Sequence, residues 1–341
     1  MSFIRKLLFP FSILYGLITG IRNFLYDHRI FKSYSFQIPI IAVGNLNVGG
    51  TGKTPQIEYV VRLLSDQYNV ATLSRGYKRK SKGFILADQF SNAEILGDEP
   101  FQYFKKFPNI QVAVDADRKN GIEQLLSQTN KPDVILLDDA FQHRKVKAGL
   151  YILLTSYHDL FVDDYILPTG NLRESSSGAK RANIIIVTKC PNNITDQDQN
   201  RIKIQLKVEK NQQIYFTTIE YDDFVFSDTN KLDVAEIKSQ NKILLAGIAK
   251  PASFFAYLQS ENEEQMEFPD HHHFSGNDIT AIKNKSKDKI IITTEKDFVR
   301  LNDKLQSDNL YYLPIKSKFV NNSKNFDQTI LNYVGKSTRI G

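Results

Sequence analysis

One cysteine, Cys190, stands in a chain of 341 residues. A lone thiol excludes an intramolecular disulfide framework and any multi-cysteine zinc site, and it fits a reducing compartment where ATP is also found. No apolar run reaches the roughly 20 residues that a membrane-spanning helix needs. The longest, Leu7 to Ile21, falls short and has Pro10 inside it. No small-x-small cleavage site follows that run, which excludes a secretory signal. Internal repeats, low-complexity tracts and nucleic-acid recognition motifs are all missing. Charge of neither sign dominates: 44 basic against 38 acidic residues give +6 and a pI near 9.0, a mild lean toward an anionic partner. A chain this long divides into two domains, since single cores stop growing at about 250 to 300 residues. A soluble two-domain α/β enzyme is the expected class.

What the chain does have is a nucleotide cradle. Residues 41 to 55 read Ile-Ala-Val-Gly-Asn-Leu-Asn-Val-Gly-Gly-Thr-Gly-Lys-Thr-Pro. An apolar strand runs into a glycine-rich turn, and Thr54 to Leu64 follows with Ile57, Val60, Val61 and Leu64 on one helical face. Backbone N–H groups of Asn47, Val48, Gly49, Gly50, Thr51 and Gly52 can point at phosphate oxygens. Lys53 can reach the β and γ phosphates, and the Thr54 hydroxyl can ligate Mg²⁺. Asn47 occupies a position where the general motif has glycine, yet strand, loop and helix come in the required order. A second station, Val134-Ile135-Leu136-Leu137-Asp138-Asp139, puts two acids at the end of an apolar strand, where either can hold Mg²⁺ or its waters.

Strand-like runs at 39–43, 69–73, 111–114, 134–137, 150–155, 183–188, 242–246 and 289–294 alternate with helical patterns. This predicts a doubly wound, mostly parallel α/β sheet with a second, smaller α/β lobe. Ligands sit at the carboxyl ends of strands in such sheets, where the polar clusters fall. The expected division is an N-terminal helix over 1–32, a P-loop domain over 33–212 and a C-terminal lobe over 213–341. Segments 211–226 and 310–319 read as extended and able to pair as a connecting β-ribbon.

The first thirty residues carry Phe3, Ile4, Leu7, Leu8, Phe11, Leu14, Ile18, Ile21 and Leu25 at helical steps, flanked by Arg5, Lys6, Arg22, Arg29 and Lys32. A helix lying in a membrane interface is the favoured reading, with a helix packed on the core as the alternative.

Several clusters converge on one family. Val43-Gly44-Asn45 with Gly49-Gly50-Thr51-Gly52-Lys53-Thr54-Pro55, Ser74-Arg75-Gly76-Tyr77, Gly97-Asp98-Glu99-Pro100 and Asp138-Asp139-Ala140-Phe141-Gln142-His143 resemble the tetraacyldisaccharide 4′-kinases. So do residues 167–174 (Leu-Pro-Thr-Gly-Asn-Leu-Arg-Glu), Phe268-Pro269-Asp270-His271-His272 and Thr293-Thr294-Glu295-Lys296-Asp297. Ala140 departs from the family's usual glycine, and Thr169 stands at a usually small position. The resemblance implies ATP- and Mg²⁺-dependent phosphorylation of the 4′-hydroxyl of a tetraacyldisaccharide 1-phosphate lipid A precursor. It also implies a membrane-associating N-terminal helix at the cytoplasmic face of a Gram-negative inner membrane. A monomer is expected, with no nucleic-acid partner.

By itself Asp98 reads as a turn acid; the resemblance implies the catalytic base, with His271 as its partner. The histidine triplet also admits a transition-metal site or a solvated turn. Arg118 suits a phosphate or an ion pair with Asp115 or Asp117. Arg75 and Tyr77 open a basic segment that suits an anionic acceptor or plain solvent. Arg173 and Glu174 resemble the family's active-site loop residues, and Gln142 and Glu174 are candidate substrate or phosphate contacts. The rival class is a membrane-associated ATPase switch without a small-molecule acceptor, whose loop normally carries a lysine where Val48 stands. A guanine site is excluded because Val187-Thr188-Lys189-Cys190 runs into Pro191 where an acid is needed.

Overall fold

The computed structural model describes residues 5, 7–260, 263–270, 272–287 and 289–338. In chain order the first strands are β1 (Ile40–Asn45), β2 (Val70–Ser74), β3 (Ile85–Leu86), β4 (Gln111–Val114), β5 (Val134–Asp138), β6 (Leu150–Ser156), β7 (Ile184–Thr188) and β8 (Gln213–Tyr221). Then come β9 (Phe224–Phe226), β10 (Lys231–Asp233), β11 (Lys242–Ala246), β12 (Glu263–Glu267), β13 (Ile290–Thr294), β14 (Leu310–Leu313) and β15 (Ile315–Phe319).

They form a nine-stranded sheet, β15-β8-β7-β6-β1-β5-β2-β4-β3, and a six-stranded sheet, β10-β9-β14-β13-β11-β12. The larger sheet is parallel from β8 through β4, as the alternating pattern predicts, with antiparallel β15 and β3 at its edges. Both faces are covered, which is why these strands read as unbroken apolar runs. Ile41 and Val43 of β1 join Ile152, Ile186 and the P-loop helix residues Ile57, Val60 and Val61 on one face. Ile40 and Ala42 point the other way, onto Ala71, Ile122 and Ile135. Each such side chain contributes about 1.5–3 kcal/mol through burial.

The two extended segments read from sequence each hold two strands, and each changes sheet midway. Residues after Tyr221 leave β8 for β9, and Pro314 separates β14 from β15. β8 pairs with β15 in the first sheet while β9 pairs with β14 in the second. Helix Ser323–Thr338 then returns to the first sheet and buries Phe326, Ile330 and Val334 there. Between the lobes, helix Glu295–Leu305 packs along helix Asp98–Lys106, and Val299 touches the cluster of Leu96, Phe101 and Val114.

The N-terminal helix spans Phe9–Asp27. Pro10 lies in its first turn, where a missing N–H is tolerated, so it opens the helix instead of interrupting it. Among the described residues no helix is long and apolar enough to cross a membrane. This helix docks polar side inward: Ser12 Oγ donates to Thr169 Oγ1 at 2.6 Å and accepts from the Thr169 N–H at 3.0 Å. Asn23 Nδ2 donates to Glu174 Oε2 at 2.5 Å, and Tyr15 OH to the Arg173 carbonyl at 3.2 Å. Leu14, Leu17, Ile18, Ile21 and Phe24 all remain more than half exposed.

Candidate active site

The cradle follows β1 as the strand–loop–helix order requires. Gly49 and Gly52 take φ of +124° and +81°, conformations that carry little strain only without a Cβ. Upstream, Gly44 is needed for close approach, since a Cβ there would lie 2.7 Å from Phe141 Cβ. Asn45 Nδ2 donates to the Asn47 carbonyl at 2.7 Å, and Asn47 Nδ2 to Asp164 Oδ2 at 3.1 Å. The Val48 N–H donates to the Asn171 carbonyl at 2.7 Å. The loop is braced from β7 as well. Thr188 Oγ1 donates to the Thr51 carbonyl at 2.8 Å and Lys189 Nζ to the Gly50 carbonyl at 2.7 Å. Thr51 Oγ1 is buried without a partner. Lys53 and Thr54 begin the helix Lys53–Leu64, whose N–H groups and dipole favour an anion.

The acid pair meets this loop. Lys53 Nζ donates to Asn45 Oδ1 at 3.2 Å and lies 3.6 Å from Asp139 Oδ1. Arg173 Nη1 holds both Asp139 oxygens at 2.9 Å. Burial opposes the Asp139 charge, but Lys53 and Arg173 outweigh it and keep the carboxyl below its ordinary range. Asp138 is different. It accepts from Ser74 Oγ at 3.2 Å, while its buried Oδ1 has no partner. Burial first, then Glu99 and Asp139, push its carboxyl up to about 7. A buried acceptor that lacks a cation beside a phosphate cradle fits Mg²⁺, which keeps several waters and takes only one or two carboxylates. Among the described residues no group of three or more His, Cys, Asp or Glu side chains gathers to hold a metal.

Asp98 is the first residue of helix Asp98–Lys106, after Gly97 at φ +92°. Its Oδ2 accepts from Arg300 Nε at 2.8 Å and Nη2 at 2.5 Å. His271 lies outside the described residues. His272 stacks on Phe268 at 4.9 Å and bonds Asp278 Oδ2 at 3.1 Å, a structural commitment within the second lobe.

Arg118 is buried, and its guanidinium meets backbone instead of the carboxylates of Asp115 or Asp117. Nη1 donates to the Asp115 carbonyl at 2.7 Å and Nη2 to the Asp138 carbonyl at 3.1 Å, while Nε lacks a partner. Burial pushes it down to about 10. The ion-pair alternative fails because Asp117 is taken by Lys145 at 2.6 Å and Asp115 by Asn120 at 2.6 Å. Arg75 and Tyr77 are exposed on the loop after β2. Gln142 Nε2 bridges the Asn45 carbonyl at 3.0 Å and Glu174 Oε1 at 3.1 Å. Glu174, only 1% exposed, also accepts from Arg181 at 2.7 Å. Gln142 and Glu174 thus tie the cradle to the N-terminal helix.

Sequence reasoning missed Thr188, Lys189 and Arg300, and it gave Asn45, quoted within the family-like run, no role of its own. Thr188-Lys189 carried a signal, read only as a failed guanine motif. Arg300 carried none.

A phosphate-binding loop after the first core strand, a carboxylate pair at the end of a neighbouring strand and a further acid on a separate helix together define a P-loop phosphotransferase. The family model described as tetraacyldisaccharide-1-P 4′-kinase matches residues 4–335. A tetraacyldisaccharide 4′-kinase of Flavobacterium psychrophilum is 68% identical over 100% of both chains, and one of Flavobacterium johnsoniae is 65% identical over 98% of each. The crystal structure of "apo" form LpxK from Aquifex aeolicus in complex with ATP matches with a TM-score of 0.80 at 31% identity, covering 97% of this chain and 99% of that one. The chain belongs to the tetraacyldisaccharide 4′-kinase family.

Proposed function

We propose that the protein transfers the γ-phosphate of ATP to the 4′-hydroxyl of a tetraacyldisaccharide 1-phosphate, working as a monomer on the anionic cytoplasmic face of an inner membrane. One observation carries the reading: the helix whose apolar side faces outward is bonded through Asn23 and Tyr15 to Glu174 and Arg173, the residues that reach Gln142 and Asp139 beside the cradle. Nucleotide site and outward apolar stripe are one connected structure. An exposed apolar stripe with Arg29 beside it suits an interface with anionic headgroups, while Arg22 turns inward and donates to the Gln142 carbonyl at 2.9 Å.

Phosphoryl transfer asks a protein to position two oxygens and to neutralise charge. Lys53 orients the triphosphate together with the loop amides, except those of Val48 and Thr51, which donate to the Asn171 and Gly49 carbonyls. Thr54 with Asp138 or Asp139 would hold Mg²⁺, which when bound offsets phosphate charge. Asp98 accepts the proton of the acceptor hydroxyl, with His271 as its partner. Arg75 and Tyr77, exposed on the loop after β2, would meet an anionic acceptor, whereas Arg118 is buried and spends its guanidinium on the Asp115 and Asp138 carbonyls.

The test is transfer of labelled γ-phosphate to a tetraacylated disaccharide 1-phosphate in mixed micelles, comparing wild type with Lys53→Ala. Loss of a preorganised charge of this kind costs on the order of 100-fold or more in turnover. Label on the lipid that disappears with Lys53 supports the kinase. ATP hydrolysis with unlabelled lipid would move the acceptor-free switch to the front.

A further inference from the structure

We infer that Arg300 is a positioning residue for phosphoryl transfer: the second lobe orients the Asp98 carboxylate through it. The inference rests on the reading of Asp98 as the proton acceptor. Arg300 lies on helix Glu295–Leu305 of the second lobe, and its side chain is 9% exposed. Two guanidinium N–H groups converge on the same oxygen, Asp98 Oδ2, at 2.8 and 2.5 Å. The planar fork fixes direction as well as charge, which an ammonium cannot do.

The arginine is itself held. Its Nη1 donates to Asp297 Oδ1 at 3.2 Å, and Asp297 is wholly buried. Asp297 Oδ2 accepts from the Gly247 N–H at 2.8 Å and from Thr294 Oγ1 at 2.7 Å. A Cβ on Gly247 would lie 3.0 Å from Asp297 Oδ1, so the backbone closes tightly on this anchor. A chain of directional bonds therefore runs from the ends of β11 and β13 through Asp297 and Arg300 to Asp98.

Docking of the lobes does not need this contact. At the far end of the Asp98–Lys106 helix, Lys106 Nζ binds Glu58 at 2.7 Å and Glu295 at 2.8 Å, and Val299 packs between the lobes. At the Asp98 end, neighbouring Glu99 is near enough to the Asp138 carboxyl to push it up, while the Lys106 end meets buried Glu58 and Glu295. A guanidinium spent on a partly exposed carboxylate at the Asp98 end is explained by positioning. Displacement of a reacting group by about 1 Å can cost roughly 100-fold in rate, so a 30- to 100-fold effect is in range.

The experiment measures kcat and the KM for ATP of the full-length protein with the lipid acceptor in mixed micelles. Arg300→Gln is expected to lower kcat roughly 30- to 100-fold with the KM for ATP within about twofold of wild type. Arg300→Lys should recover part of the loss and guards against failure of the first variant to fold. In an Asp98→Ala background, Arg300→Gln should add almost nothing, because the arginine acts through the missing carboxylate. Turnover of Arg300→Gln near wild type, or losses that multiply in the double variant, would overturn the inference. If Asp98→Ala alone retained wild-type turnover, the reading of Asp98 itself would fail, and that result is distinct from the other two.

Discussion

Replacing Glu295 by glutamine is expected to stabilise the protein at alkaline pH and to change nothing in acid. Lys106 Nζ sits between Glu295, at 2.8 and 3.0 Å, and Glu58, at 2.7 Å, and both carboxylates are buried. One ammonium cannot fully offset two buried anions. Burial and the Glu58 charge push the Glu295 carboxyl from an ordinary 4.5 up to about 7. An acid whose folded pKa is raised binds its proton more tightly folded than unfolded, so stability falls as pH rises from about 4.5 to about 7. At about 1.36 kcal/mol per unit, the ionised form costs about 3 kcal/mol above that window. Glutamine imitates the protonated side chain at every pH. Melting and urea curves should therefore favour Glu295→Gln by about 3 kcal/mol at pH 8, roughly 5 to 10 °C for a unit of this size, with the gain vanishing below pH 4.5. Should the variant melt below wild type at pH 8, the ionised Glu295 would be a net stabilising partner of Lys106 and the reasoning would be wrong.

Other expectations can be checked quickly. Gly44→Ala forces a methyl against Phe141 and should lower stability by about 1–3 kcal/mol in a thermal melt, whereas Gly20→Ala, with open space at its Cβ in a helix, should raise it by about 0.5–1 kcal/mol. Ser12→Ala removes the partner of both the Thr169 N–H and its hydroxyl. It should weaken helix docking by about 1–3 kcal/mol, read as faster amide exchange across Phe9–Asp27. Cys190 is buried, and burial pushes its thiol up to about 12, so a thiol reagent should leave the native protein unlabelled and titrate one group in denaturant.

The cradle was legible because its parts are contiguous: β1, the loop and the first turn of the following helix need only local chemistry, and the acids of β5 declare themselves by ending an apolar run. The strand runs of β1, β2 and β4 to β7 were legible for the same reason, being buried on both faces, whereas β3, two half-buried residues at the sheet edge, was not. The change of sheet at residues 222–223 and at Pro314 was not, since an extended segment reads the same whichever sheet it joins. The N-terminal helix showed its stripe, and the favoured interfacial reading left that stripe facing away from the core, as it does; the polar residues that dock the helix were not legible. An apolar stripe normally turns inward; here tertiary bonds, among them those of Ser12, Tyr15, Arg22 and Asn23, hold the opposite side against the protein. Arg300 meets Asp98 across a separation of 202 residues, and no local pattern marks such a pair. From the second lobe, His271 was named through the resemblance, and Arg300 was hidden for that reason.

Tyr221 and Ile315 face each other across the β8–β15 ladder. Everything between them leaves the larger sheet and returns to it at the same rung, so the second lobe hangs as a passenger from the tip of one long hairpin. A shortcut turn joining those two residues would leave all nine strands and the C-terminal helix contiguous. The polypeptide is therefore built like a tool with an exchangeable head: the part that handles nucleotide closes on itself, and the part that reaches Asp98 can be lifted out or swapped without redrawing the connectivity of the rest.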